Sequence, residues 1–159
     1  MTDSSLHDFA ERVKKAGGTL TPATEQQIQD VENELGRPLP EDLRSLFRLT
    51  NGVNDVSVNG RYRVFSLDGL LHYWKLSMEI ATSDSGCEGI GGAQDAYFLP
   101  DWFPILGSGD SSFLAYDNDP GSEGTKGQLV LVDPQDEYRE VRSPSLWSWL
   151  AAAAIEAEE

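Results

Sequence analysis

Ile28-Gln29-Asp30-Val31-Glu32-Asn33-Glu34-Leu35-Gly36-Arg37-Pro38-Leu39-Pro40-Glu41-Asp42-Leu43-Arg44-Ser45-Leu46-Phe47 sets the architecture of the first third of the chain. Ile28, Val31 and Leu35 recur at helical spacing and line one face. Gly36 follows them, where a left-handed residue ends a helix. Pro38-Leu39-Pro40 is a rigid connector, and Pro40 opens a further helix because the N–H it lacks would have no partner in a first turn. Glu41 and Asp42 sit in that turn, where the helix dipole favours negative charge. Leu43, Leu46, Phe47 and Thr50 carry the inner face, with Glu41, Asp42, Arg44 and Arg48 outside. Upstream, Thr21 is the expected cap, with Pro22 at the first helical position. Downstream, Asn51-Gly52 tolerates positive φ and gives a sharp exit.

Outward from this pair, Leu6, Phe9, Ala10 and Val13 predict a helix over Leu6–Ala16, stopped by Gly17-Gly18. Asn59-Gly60 is a hairpin dipeptide before a strand containing Tyr62, Val64 and Phe65. Leu67–Ala81 reads as a helix with Leu70, Leu71, Trp74 and Met78 on one side. Ser83–Asp95 is Gly-rich and polar, hence an expected surface loop. Strands are expected at Trp102–Leu106, Phe113–Tyr116, Leu129–Val132 and Tyr138–Val141, the last after a turn at Pro134-Gln135-Asp136. Ser143 is the expected cap of a final helix opening at Pro144. The class is α+β, helices at both ends packed around a central, largely antiparallel sheet. At 159 residues the length fits one domain, residues 1–159 with a core of about 22–155.

Lys+Arg 12 against Asp+Glu 27 leaves a net charge of −15. That balance excludes a nucleic-acid backbone or an anionic lipid surface as the main partner, since both need clustered cations. It favours a basic partner. The single Cys87 excludes an internal disulfide and a cysteine zinc site. Met1–Lys15 lacks the apolar core of a signal peptide, and Leu150–Ile155 is too short to span a bilayer. The expected location is the cytoplasm.

Catalytic patterns are weak. His7 and His72 are the only histidines, and no Gly-x-Ser-x-Gly elbow occurs. Cys87 lies in Ser-Gly-Cys-Glu-Gly, an acidic setting that disfavours a thiolate. Gly107-Ser108-Gly109-Asp110 lacks the Gly-Lys-Ser/Thr ending of a phosphate loop, and Gly89-Ile90-Gly91-Gly92 lacks the strand a dinucleotide fingerprint needs. Asp117-Asn118-Asp119-Pro120-Gly121-Ser122-Glu123 is half a calcium loop with Gly at the fifth position and Ser at the sixth, so it reads as a turn between strands. A cation-dependent hydrolase built on Asp110, Asp117 and Asp119 is a minor alternative. Trp102 reads as core. Trp147 and Trp149, two positions apart, cannot share a buried helix face. Trp149 is placed inward with Leu146, Leu150 and Ala153, leaving Trp147 exposed as a contact residue.

The quoted stretch, with Asn51-Gly52 after it, resembles the opening signature of the SUKH superfamily, Smi/Knr type. Trp102-Phe103-Pro104-Ile105, Gly107 to Asp110, the strand ending in Asp117, Gly127-Gln128-Leu129-Val130 and the closing Ser145-Leu146-x-x-Trp149-Leu150 extend the resemblance from about Pro22 to Ile155. Ser111-Ser112 stand where many members have a further Gly beside an aromatic. The resemblance implies a non-enzymatic α+β domain. Bacterial members are mainly immunity proteins that neutralise secreted polymorphic toxins, often nucleases or deaminases; the alternative is a regulatory scaffold of the Smi/Knr type. With the charge, this implies a basic protein toxin as partner, with no nucleic acid, membrane, metal or cofactor. Asp110, Asp117, Asp119, Glu123 and Trp147 are the expected contact residues.

Overall fold

The computed structural model describes residues 3–81 and 86–158. Helices α1 (Asp3–Lys15), α2 (Glu25–Leu35) and α3 (Glu41–Leu49) come first. The hairpin β1 (Val53–Val58) and β2 (Tyr62–Val64) and helix α4 (Leu67–Ala81) follow. Then come β3 (Glu88–Ile90), β4 (Trp102–Gly107), β5 (Phe113–Asp117), β6 (Gln128–Val132) and β7 (Tyr138–Ser143). Helix α5 (Leu146–Ala152) and β8 (Ile155–Ala157) close the order. The strands form one eight-stranded sheet in the order β3-β7-β6-β5-β4-β2-β1-β8. Among the described residues only β3 and β7 pair in parallel. This is the α+β class expected, with helices flanking a largely antiparallel sheet.

Alternation along β5 and β6 divides the core. Leu114, Tyr116 and Leu129 pack with Phe9, Val13, Ile28, Val31, Leu43, Phe47 and Leu146 from α1, α2, α3 and α5. On the opposite face, Phe113, Ala115, Val130 and Val132 pack with Trp102, Tyr97, Phe98 and the Tyr73, Trp74 and Met78 side chains of α4. Asp42 in the first turn of α3 accepts a 2.6 Å bond from Tyr116 on β5, clamping helix to sheet. Burial and this carboxylate together push the Tyr116 phenol well above its usual range.

Several local expectations move. Helix α2 starts at Glu25, not at Pro22, and Thr24 rather than Thr21 is its cap. Gln27 at the third position completes a capping box: its N–H donates to Thr24 Oγ1 at 3.1 Å, and Thr24 N–H donates to Gln27 Oε1 at 2.8 Å. Thr21 is held elsewhere, donating to Thr50 Oγ1 at 3.2 Å and accepting from Asn51 N at 2.7 Å. Pro40 caps α3 rather than opening it. Ser145, not Ser143, caps α5, because Ser143 ends β7. The expected loop at Ser83–Asp95 contains the strand β3, whose ladder β7 supplies; its residues 83–85 lie outside the described residues. Strands β1 and β8 were not anticipated.

The corner between α2 and α3 is fixed by a buried carboxylate. Glu32 Oε2 accepts from Leu39 N at 2.6 Å and from Arg44 Nε and Nη2 at 3.0 and 2.7 Å. At the other end of the helical layer, the Arg12 guanidinium of α1 donates to the Leu150 carbonyl at 2.6 Å and to that of Ala153, capping the C-terminus of α5.

Gly36 and Gly52 both have positive φ, +72 and +81, but only one is crowded. A Cβ at Gly36 meets nothing within 4 Å, whereas at Gly52 it would lie 2.7 Å from Ser66 N and 2.9 Å from Ser66 Cα. Gly36→Ala should cost about 1 kcal/mol for the backbone conformation alone. Gly52→Ala should cost at least ~2 kcal/mol, because backbone must also move. Equal losses in urea denaturation would refute the steric difference.

Candidate functional site

The five expected contact residues do not form one site. Successive turns of an antiparallel meander fall at opposite ends of the sheet. Asp110 lies in the β4–β5 turn, while Asp119 and Glu123 lie in the β5–β6 connection. The five residues of β5 separate them by roughly 15 Å.

Asp110 is exposed but anchored. Its Oδ1 accepts from Ser108 Oγ at 2.5 Å, Ser112 Oγ at 2.7 Å and Ser112 N at 2.8 Å, and its Oδ2 lies 3.5 Å from Arg61. The Ser108 and Ser112 bonds, with Arg61 adding less, hold its carboxyl far below the ordinary range. Ser112, one of the two serines at which the chain departs from the pattern it resembles, is therefore a structural partner of this turn. The neighbouring Gly107 answers to an aromatic ring rather than to a phosphate: a Cβ there would lie 2.3 Å from Phe65.

Asp117 is a correction, since it is fully buried and cannot meet a partner. Its Oδ2 accepts from Gln128 Nε2 and its Oδ1 from Asp119 N, both at 2.8 Å. Burial raises its pKa, and those two bonds oppose the rise. It shapes the loop that carries the exposed Asp119 and Glu123. Trp147 is a second correction: it is 9% exposed, and Trp149 is the half-buried indole. The helix begins at Leu146 and α1 packs on it beside Trp147, whereas Trp149 turns to meet the Tyr62 ring edge-on at 5.5 Å. That two tryptophans at this spacing part company was legible; which one α1 covers was not.

Two features were missed. A cleft of about 620 Å³ opens between the α3–β1 and β4–β5 turns, lined by Asn51, Gly52, Arg63, Phe65, Tyr73 and Gly107. Phe65 stacks on Tyr73 at 4.9 Å, and Arg63 is engaged by Glu158. Spacing cannot reveal this wall, because its two rings come from different elements. The second feature is Arg139, fully buried on β7. It donates to the carbonyls of Tyr97 (2.9 Å), Asp133 (3.2 Å), Asp136 (3.2 Å) and Tyr138 (2.9 Å). Period-two alternation from Val141 would have placed it inward. Arg139 thus fixes the acidic β6–β7 turn at the same end of the sheet as Asp110.

Among the described residues no cluster of His, Cys, Asp and Glu could hold a metal ion. His72 is exposed and meets the edge of Tyr73, while Cys87 Sγ contacts the Asp136 carbonyl at 3.7 Å. No helix among the described residues is long and apolar enough to cross a membrane.

Asp117→Ala should destabilise the protein by about 2–3 kcal/mol by stranding Gln128 and the Asp119 N–H, while Glu123→Ala should change stability by less than about 0.5 kcal/mol. Comparable values in denaturant melts would contradict the assignment of Asp117 to the interior. Asp110 gives a pH signature. Folding favours its ionised form, so its contribution is complete above the ordinary Asp value near ~4 and is lost as pH falls below it. Asp110→Asn should therefore flatten the acid limb of the stability profile between about pH 4.5 and 2; parallel limbs for variant and wild type would reject the anchoring.

Residues 22–152 match the SMI1 / KNR4 family (SUKH-1). No curated protein matches the chain. The family match runs from the segment before α2 to the end of α5, taking in every strand but β8 and every helix but α1. The chain belongs to the SMI1 / KNR4 family (SUKH-1).

Proposed function

We propose that this protein is an immunity protein that binds a secreted polymorphic toxin one-to-one in the cytoplasm and neutralises it, and that the toxin is basic, as a nuclease would be. The whole of residues 1–159 acts as one domain in this reading. Family membership supports a protein-binding role rather than an enzymatic one. The observation that gives the role its direction is the disposition of charge. Net charge is −15, and the cations are largely engaged within the fold. Arg44 is held by Glu32, Arg37 by Asp101, Arg48 by Glu25 and Glu41, Arg63 by Glu158, and Arg139 is buried against carbonyls. Exposed carboxylates stand at both ends of the sheet, so a cationic surface is attracted from several directions of approach.

The test is to sequence the genes flanking this chain's own, and to express a toxin domain found there alone and with this chain. The toxin should arrest growth, and this chain should restore it through a one-to-one complex. Raising salt from low concentration to 0.5 M should lower the association rate about tenfold or more and change the dissociation rate by less than about threefold. No rescue would reject the reading, and a salt-independent association rate would remove its electrostatic basis.

A further inference from the structure

Among the described residues three large apolar side chains are substantially exposed, Leu76, Ile90 at 39% and Tyr138 at 42%; two of them share one sheet face. The β3–β7 register pairs Glu88 with Tyr138 and Ile90 with Glu140. Parallel partners side by side point the same way, so these four side chains lie on one face and Gly89 and Arg139 on the other. The β6–β7 register adds the half-buried Leu131 beside Glu140. This face continues the one that the first three helices and α5 cover over the central strands, and Ile90 and Tyr138 lie at its uncovered end. The sheet edge beside it is closed: the Gly89 N–H donates to Asp95 Oδ1 at 2.8 Å, so an incoming strand lacks that donor.

The charge around the patch selects its occupant. A groove of about 440 Å³ alongside Tyr138 is lined by Glu88, Asp95 and Glu137. Among the described residues none of these three is ion-paired, and the nearby Arg142 is held by Glu140 at 2.8 Å. Arg139 fixes the backbone of the adjoining turn through the Asp133, Asp136 and Tyr138 carbonyls, so the surface is ordered before binding. We propose that this face docks a basic protein, which rests an apolar side chain on Ile90 and Tyr138 and places a Lys or Arg in the groove of Glu88, Asp95 and Glu137. The proposal deepens the immunity reading and rests on it for the identity of the partner. A cation whose stem lies along the Tyr138 ring gains from both burial and the ring's negative face. A second copy of this chain would bring the same carboxylates against themselves.

Two experiments separate the face from the reading. In the first, the peptide amide Arg-Arg-Trp-Arg-Arg is titrated into isotopically labelled protein. Amide shifts should concentrate at residues 88–90, 131 and 136–140, and the Glu88→Gln, Glu137→Gln double variant should weaken binding at least tenfold. Shifts centred on Asp119 and Glu123, or none at millimolar peptide, would overturn the proposal. In the second, calorimetry with a toxin domain found among the flanking genes should show at least thirtyfold weaker binding for the Ile90→Ala, Tyr138→Ala double variant. The Asp119→Asn, Glu123→Gln variant should lose less than threefold, with all melting temperatures close to wild type. Unchanged affinity in the Ile90, Tyr138 variant would overturn the docking face and leave the immunity reading intact. A toxin that fails to bind wild-type protein, while the peptide still lands on this face, would overturn the immunity reading and leave the face standing. A wild-type dimer in sedimentation that Tyr138→Ala dissolves would assign the face to a second copy and overturn the proposal.

Discussion

The Glu32 carboxylate organises the helical layer. It sits on the inner side of α2, one turn after Ile28, and is buried with one oxygen accepting from the Leu39 amide and from two nitrogens of Arg44. Placing a charge there is costly unless it is paired and hydrogen-bonded. The connector supplies one, since Leu39 lies between two prolines whose rings hold the backbone extended, and α3 supplies the others. The angle between α2 and α3 is therefore set by a charged hydrogen-bond network rather than by apolar packing alone. That angle places Leu43, Leu46 and Phe47 over the sheet and brings Asp42 to Tyr116. Removing Glu32 would release the connector and leave Arg44 without its counter-charge.

The parts of the fold that carry their own local chemistry were legible. Helix α4 follows the spacing of its leucines and aromatics, the Asn59-Gly60 turn has both residues at positive φ, and Gly36 ends α2 as its position predicts. What escaped depends on distant partners. Glu-Gly-Ile at β3 and Ile-Glu-Ala at β8 have no strand signal of their own; each is a strand because β7 or β1 offers a ladder. The two cap misplacements have the same origin, with Thr21 and Ser143 committed to neighbouring segments and the caps passing to Thr24 and Ser145. In the site, a run of acidic residues from Asp110 to Glu123 looks like one patch in sequence, yet it spans a hairpin and is divided between the two ends of the sheet. That division follows from the pairing of consecutive strands. The burial of Asp117 does not, because it depends on Gln128 reaching across from β6.

Charge in this protein works at two ranges. Asp110, Asp117 and Glu32 are tied into hydrogen-bond networks and act as struts for the turns and corner in which they sit. The remaining exposed carboxylates create the long-range field, which is weakened beyond ~8 Å at physiological salt. Arg139 links the two roles, since its own charge is absorbed by carbonyls while it sets the position of an acidic turn.

Both outer pairs of the sheet join segments remote in the chain: β3 waits for β7, and β1 waits for β8. Loop-closure entropy must be met before either pairing returns anything, which places this topology among slower folders. During synthesis the β1–β2 hairpin and β3 emerge well before the strands that complete them. The nascent chain therefore carries an unpaired β1 edge until β8 has been made, and β8 acts as a latch on a sheet otherwise already assembled.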